Sequence, residues 1–231
     1  MRRIAILATL VAIGLASRSE AEQGSRVITV VGEGQVEAVP DMAMITLGVT
    51  HEASEAGEAM EQVSRRTEKI LVRLTTLEIE TKDIQTSRFS LNPVWSNRNS
   101  STGERPEISG FVASNAVTVR VREMTSLGQV LDAVIADGAN TFNGLQFLVQ
   151  DPKPLQDEAR RRATADAMDR AAQLAQAAGV TLGAVQSISE LGGGAQPVRM
   201  EMAAMRDGGV PIAAGEISMT ASVSMIFEIL D

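Results

Sequence analysis

The 231-residue sequence contains no cysteine and no tyrosine, one histidine (His51) and one tryptophan (Trp95). The absence of cysteine excludes disulfides, thiolate metal sites, cysteine nucleophiles and a lipidated N-terminal cysteine. A single histidine excludes any site that needs two imidazoles. Proteins that bind single-stranded nucleic acid stack its bases on aromatic side chains, and aromatic residues make up only 3% of this chain.

The charge balance is acidic, with 29 Asp and Glu against 21 Lys and Arg and a formal net charge of -8. A phosphate-binding surface needs the opposite balance, so nucleic acid is not an expected partner. With 44% hydrophobic residues the chain is too apolar to be wholly disordered. The composition therefore predicts an acidic globular protein with few residues suited to catalysis.

The N-terminus has the parts of a cleavable signal peptide. Arg2 and Arg3 supply positive charge, residues 4–16 form an apolar stretch too short to span a bilayer, and Ser19-Glu20-Ala21 places small residues where signal peptidase cuts. We expect cleavage after residue 21, a linker at residues 22–26, one domain at residues 27–231, and a periplasmic location. The alternative is a retained anchor or a buried N-terminal helix.

Alternation of apolar and polar residues predicts strands. Residues 27–39 and 43–50 flank the turn signal Pro40-Asp41 and predict a β-hairpin. Further strands are predicted at residues 84–91, 117–121, 145–149, 185–188 and, most regularly, 217–229. Flexible loops are predicted at residues 92–106 and 192–215. The first of these contains Trp95, either as a contact residue or packed back onto its own domain.

Three segments have helical periodicity. One stripe runs from Ser54 to Leu77, and Thr125 is a candidate N-cap for a shorter helix that ends before Gly138. A long alanine-rich helix follows Pro152 and ends before Gly179. The predicted buried face of the first helix is Ala56, Met60, Val63, Thr67, Ile70, Leu74 and Leu77, and that of the long helix is Ala159, Ala163, Ala167, Ala171, Leu174 and Ala178.

The two long helices lead to similar segments, DIQTS at residues 83–87 and AVQS at residues 184–187. A long loop and an alternating strand follow each segment, which suggests an internal duplication. The predicted fold class is α+β, with antiparallel or mixed sheets packed against two long helices and one shorter helix. Two related α-β-β lobes are a further hypothesis.

No motif in the sequence identifies a catalytic site. Gly32-Glu33-Gly34 lacks the third glycine of a dinucleotide-binding loop, and glycines in a strand mark a bulge or a close backbone approach. There is no phosphate-binding loop and no G-x-S-x-G nucleophile elbow. A Ser-His-Asp triad would have to use His51, which lies among polar residues at a strand end. Glu33 and Glu37 could share a strand face as a catalytic carboxylate pair does, but many solvent-facing strands show the same pattern and nothing marks a pocket.

The arginines of the long helix have acidic partners nearby. Ion pairs spaced by four residues, namely Asp157–Arg161, Glu158–Arg162 and Asp166–Arg170, are predicted. These pairs explain the basic run without a ligand.

Three methionines are the unusual chemical feature of the chain. Met200, Met202 and Met205 lie in the second predicted loop, and thioethers are ligands suited to Cu(I). They could also serve as repairable oxidation targets or as adaptable apolar contacts. No histidine or cysteine completes a metal site, so no metal or cofactor is expected, and these methionines are kept as the only candidate ligands.

Several segments, in order, carry a family resemblance. They are ITVVGEG at residues 28–34 with Pro40-Asp41, DIQTS at 83–87, GFVASN at 110–115, VTVRV at 117–121, residues 131–145, DEAR at 157–160 with residues 163–167, and GEI at 215–217. On these residues the chain from about residue 27 to 230 resembles the SIMPL domain family of periplasmic or outer-membrane-associated bacterial proteins. The resemblance implies an α+β fold, homo-oligomeric assembly, association with the outer membrane and a role in envelope stress resistance. It supplies no catalytic motif.

Together these observations predict a secreted, non-enzymatic, self-assembling periplasmic protein of envelope or oxidative-stress defence. The alternative is a small-ligand or Cu(I)-binding module that uses the methionine-rich loop. A hydrolase that uses His51 is a third hypothesis.

Overall fold

The computed structural model describes residues 26–96, 106–197 and 212–230. Within them the strands are β1 (Val27–Ala38), β2 (Met42–Ala53), β3 (Ile84–Trp95), β4 (Ile108–Val121), β5 (Thr141–Leu148), β6 (Thr181–Pro197) and β7 (Ile217–Leu230). The helices are α1 (Ala56–Thr76), α2 (Leu127–Ala136) and α3 (Lys153–Ala178). The predicted α+β class, with two long helices and one shorter one, is confirmed. No helix in these three ranges is both long enough and apolar enough to traverse a lipid bilayer.

The strands form two antiparallel sheets, each with its own hydrophobic core. A three-stranded sheet has the order β1-β7-β6, and α3 packs on β1 and β7. A four-stranded sheet has the order β3-β4-β2-β5, and α1 packs on β2 and β4 while α2 adds Leu127, Val130 and Val134 to the same core. We call these units the three-stranded lobe and the four-stranded lobe.

The two lobes share one topology. In the four-stranded lobe β2 precedes α1 and pairs with β4, the second strand after that helix. In the three-stranded lobe β1 pairs in the same way with β7, the second strand after α3. The orders β3-β4-β2 and β6-β7-β1 are therefore equivalent, which supports the hypothesis of two related lobes. The whole four-stranded lobe is inserted between β1 and α3.

The predicted hairpin of the first two strands is wrong. All twelve residues of β1 pair with β7, and β2 pairs with β4 on one side and β5 on the other. Pro40-Asp41 instead carries the chain from one sheet to the other, and the Asp41 backbone amide donates to the Leu148 carbonyl at 3.1 Å. Alternation shows which face of each strand is buried, but it does not show which strand lies alongside.

The helical stripes are mostly as predicted. In α1 the buried residues are Ala59, Val63, Thr67, Ile70 and Leu74. In α3 they are Ala159, Ala163, Ala167, Ala171 and Ala175, so Ala175 replaces the predicted Leu174, which is exposed, as is Ala178. The buried residues of α3 are four apart throughout. A row of residues four apart is inclined to the helix axis, and in α3 this row is the one that packs on the sheet.

Several predicted boundaries differ from the structure. β3 continues through residues 92–95, so Trp95 lies in a strand opposite Ile108 and not in a loop. β6 likewise covers residues 192–197 of the second predicted loop. Thr125 does not cap α2; it lies in a 3-10 turn, where its hydroxyl donates to the Glu123 carboxylate at 3.1 Å. The last strand is confirmed, with its alternate residues buried from Ile217 to Phe227.

Candidate interaction surfaces

Helix α3 lies against β1 at backbone contact distance. A Cβ placed on Gly32 would be 2.1 Å from the Ala163 carbonyl oxygen, and one placed on Gly34 would be 2.0 Å from that of Ala159. The glycines of Gly32-Glu33-Gly34 thus mark a close backbone approach, which is one of the two meanings expected from the sequence. Small residues on both elements are what bring the helix this close.

This proximity lets α3 side chains close the free edge of β1. The Arg170 guanidinium donates to the Val31 carbonyl at 2.8 Å, and the Glu33 backbone amide donates to the Asp166 carboxylate at 2.8 Å. The Arg162 guanidinium donates to the Gln35 carbonyl at 2.7 Å. Residues four apart on a helix and two apart on a strand have similar rises, about 6 and 6.7 Å, so the two rows stay in register. At each of these three positions one backbone group of the β1 edge is bonded to an α3 side chain.

Sequence reasoning found part of this ladder. The predicted pairs Glu158–Arg162 and Asp166–Arg170 are present, each at 3.0 Å. The predicted Asp157–Arg161 pair is wrong, because Asp157 binds Lys153 and Arg160, and Arg161 binds Glu158. The edge-capping role was missed. The sequence signal for this role is a row of polar residues at 162, 166 and 170 beside the alanine row of α3. The second part of the signal is the Gly-x-Gly of β1, on which α3 packs.

Among the described residues none pairs with the outer edge of β6, which is the last strand of its sheet. Most of residues 181–194 are exposed. Val185, Ile188 and Leu191 are 42, 59 and 59% exposed. Ile188 faces the α3 side of the sheet, since it pairs with the buried Met225, but α3 covers the two other strands. An unpaired strand edge with apolar side chains is a template for another strand.

The edges of the four-stranded sheet carry features that oppose pairing. Pro93 lies within β3 and supplies no backbone N–H, and Arg88 adds a charge to the same strand. At the other edge the Asn140 side chain imitates a strand: its Oδ1 accepts from the Thr50 amide and its Nδ2 donates to the Thr50 carbonyl, both at 2.8 Å. Asn140 thereby completes the pairing of β2 beyond the end of β5.

A polar pocket of about 450 Å³ lies at one end of the four-stranded sheet. Asp83 is buried there and accepts two hydrogen bonds from Arg122, at 2.6 and 2.7 Å. These hydrogen bonds hold the pKa of the Asp83 carboxyl below its ordinary value, although burial opposes the shift. Arg122 also donates to the Gln150 side chain at 3.3 Å. The buried carboxylate therefore serves a structural ion pair.

An apolar groove of about 400 Å³ separates α2 from β5. Leu47, Leu131 and Val134 form its floor, and the exposed Ile135 and Phe142 form its rim. The groove is a second apolar surface, distinct from the β6 edge.

The sequence-derived site candidates do not converge. His51 lies half-buried in β2 opposite Ala113, and Glu33 and Glu37 share the exposed face of β1. Among the described residues no three His, Asp or Glu side chains are grouped so as to hold a metal ion. Met200, Met202 and Met205 lie outside the described residues, as do residues 1–25, which include the predicted signal peptide.

Comparison with known proteins gives a consistent result. The sequence profile of the family described as "SIMPL: Protein of unknown function (DUF541)" matches residues 28–227. The 26 kDa periplasmic immunogenic protein of Brucella melitensis is 39% identical over 210 residues, 87% of this chain and 84% of its own length. The protein YggE of Edwardsiella ictaluri is 31% identical over 170 residues, 74% and 70% of the two chains. The Escherichia coli K12 protein YggE is 27% identical over 223 residues, 96% and 88%.

Proposed function

Since the chain belongs to the SIMPL family of proteins of unknown function, we propose that it is a self-assembling, non-enzymatic protein of the periplasm that contributes to envelope or oxidative-stress defence. The observation that carries self-assembly is the contrast between the two edges of one sheet. The β1 edge is closed by Arg162, Asp166 and Arg170, whereas the β6 edge presents Ile188 and Leu191 to solvent. A surface of this kind favours strand addition by another protein chain.

The periplasmic location is supported by two independent features. The N-terminal residues have the composition of a signal peptide, and the Brucella relatives are named periplasmic proteins. The stress role rests on the family resemblance. The non-enzymatic character is supported by the use of the buried Asp83 and its partner Arg122 in a structural ion pair.

The first experiment measures the molar mass of the protein by light scattering after size exclusion. We expect a discrete oligomer for the wild type and a smaller mass for Leu191→Lys, because a charged side chain on a strand edge opposes pairing. Val72→Lys is the matched control, since Val72 is 62% exposed on α1, which belongs to the four-stranded lobe, and should leave the mass unchanged. A monomeric wild type at every concentration would contradict self-assembly and bring the ligand-binding hypothesis to the front.

The stress role has its own test. A strain that lacks the gene should be more sensitive to peroxide, and the wild-type gene should restore resistance. If the Leu191→Lys gene restores peroxide resistance as well as the wild-type gene does, the stress role does not depend on assembly through β6.

A further inference from the structure

The segment of β6 from Val185 to Leu191 lacks the basic residues and prolines that keep many strand edges unpaired. It contains no Lys, Arg or Pro, and its one charged residue, Glu190, already binds Arg160 at 2.9 Å. Register shifts at Gln186 and Leu191 bracket a regular stretch, Ser187–Glu190, that pairs with β7 without interruption. The outer row of backbone groups along this stretch faces away from β7.

We propose that the strand that pairs with this edge is β6 of a second copy, antiparallel, about a two-fold axis through Ile188. This inference rests on the proposed self-assembly and names its interface. In this register Ile188 lies opposite itself, Ser187 opposite Ser189, Gln186 opposite Glu190, and Val185 opposite Leu191. Every pair is therefore chemically matched.

The Gln186–Glu190 pair favours the register whose axis passes through Ile188. Glu190 uses Oε1 for Arg160, which leaves Oε2 to accept a hydrogen bond from the Gln186 amide of the second copy. Neighbouring registers are worse. An axis through Ser189 would set Ile188 against Glu190, and an axis through Ser187 would set Ile188 against Gln186. The axis through Ile188 avoids both mismatches.

The two-fold axis stands perpendicular to the sheet, so both α3 helices lie on the same side of a six-stranded sheet. Because Ile188 faces that side and α3 lies mainly over β1 and β7, the two copies bring exposed apolar residues together. Val185 faces the same side, since it pairs with the buried Phe227. The contact therefore buries Val185 and Ile188 of each copy.

The closed β1 edges make this contact finite. In the six-stranded sheet both outer strands are β1, and each is capped by Arg162, Asp166 and Arg170. An isologous contact uses the same edge of both copies and therefore forms a closed dimer and not a fibre. Larger assemblies would add contacts from the four-stranded lobe to this dimer.

The chain has no cysteine, so single cysteines test the register directly. In the proposed register the two copies of residue 188 are directly opposite, with Cα atoms about 4.5–5.5 Å apart, a distance that a disulfide spans. Two copies of residue 189 are diagonal neighbours about 7–8 Å apart, which a disulfide does not span. Under mild oxidation Ile188→Cys should form a covalent dimer and Ser189→Cys should not. A mixture of Ser187→Cys and Ser189→Cys should cross-link, which provides a second route if Ile188→Cys folds poorly.

Ile135→Cys is the control for random collision, because Ile135 is 58% exposed on α2, nearly the same as Ile188. Preferential cross-linking of Ile188→Cys and of the mixture supports the interface. Equal cross-linking of Ile188→Cys, Ser189→Cys and Ile135→Cys would overturn it. If light scattering shows oligomers while neither Ile188→Cys nor the mixture of Ser187→Cys and Ser189→Cys cross-links, the proposed interface is wrong, but self-assembly stands. A wild-type monomer overturns both.

Discussion

Gly34 and Ala159 meet so closely that a Cβ on the glycine would lie 2.0 Å from the alanine carbonyl oxygen. The same relationship recurs at Gly32, whose Cβ would lie 2.1 Å from the Ala163 carbonyl oxygen. These contacts fix the height of α3 above the sheet. They thereby fix the reach of Arg162, Asp166 and Arg170 around the β1 edge, so two glycines in β1 allow α3 side chains to bond to that edge.

Gly34→Ala should destabilise the protein by about 3 kcal/mol or more, because the added methyl group meets helix backbone that cannot rotate away. Chemical denaturation gives the free energy of unfolding. Gly57→Ala is the matched control, since nothing lies within 4 Å of a Cβ at this helical position. The Gly57→Ala protein should be as stable as the wild type or more stable by about 0.5–1 kcal/mol. Equal effects of the two substitutions would contradict the close approach.

Asp166→Ala should expose the Glu33 amide, because the Asp166 carboxylate is the acceptor for that N–H. Hydrogen exchange at Glu33 should accelerate, with a loss of stability of about 1 kcal/mol. Asp166→Asn keeps an acceptor oxygen and should retain most of the protection. If exchange at Glu33 is the same in all three proteins, the side chain does not cap the β1 edge.

The Asp83–Arg122 pair should make stability depend on acid pH. The pKa of Asp83 is lowered in the folded protein, so the stabilisation is present above the unfolded pKa of about 3.9 and is lost as the pH falls through the lower folded pKa. Asp83→Asn should cost about 1–3 kcal/mol near neutral pH, and its difference from the wild type should shrink below about pH 4. Unfolding measured across this range gives the curve. Asp137→Asn, which removes the surface pair with Arg73, should change stability less.

Asn140→Asp should be more damaging than its small change in shape suggests. The Asn140 side chain both accepts from and donates to the Thr50 backbone, and a carboxylate loses the donor and places charge beside a carbonyl. We expect a loss of about 1–3 kcal/mol, measured by thermal unfolding. Asn143→Ala, an exposed change in β5, is the control and should be near neutral.

The methionine-rich segment provides a test of the alternative function. Replacing Met200, Met202 and Met205 together with Leu keeps the apolar character and removes the thioethers. We expect the triple variant to keep the oligomeric mass of the wild type and to differ little from it in a Cu(I) titration. Strong Cu(I) binding that the triple variant loses would instead establish a metal-binding module.

Periodicity in the sequence predicted the buried faces of the elements with good success. The stripe of α1 and the alternation of β7 both agree with the structure, because side-chain polarity records directly which face meets water. The β1–β2 hairpin failed for a different reason. Backbone hydrogen bonds between strands are the same for any residue, so two well-formed neighbouring strands carry no mark that they belong to separate sheets.

By itself, the sequence determined the α+β class and the three helices, because composition and spacing contain them, and the family, because its segments occur in order. Only the tertiary structure decided that β1 crosses the whole four-stranded lobe to pair with β7, and that Asp166 satisfies the Glu33 amide. It also decided that β6 is left as the open edge. These outcomes depend on contacts between residues about 130 or more positions apart, such as Glu33 with Asp166. Local periodicity does not encode such contacts, since they arise only when the packed lobes bring distant segments together.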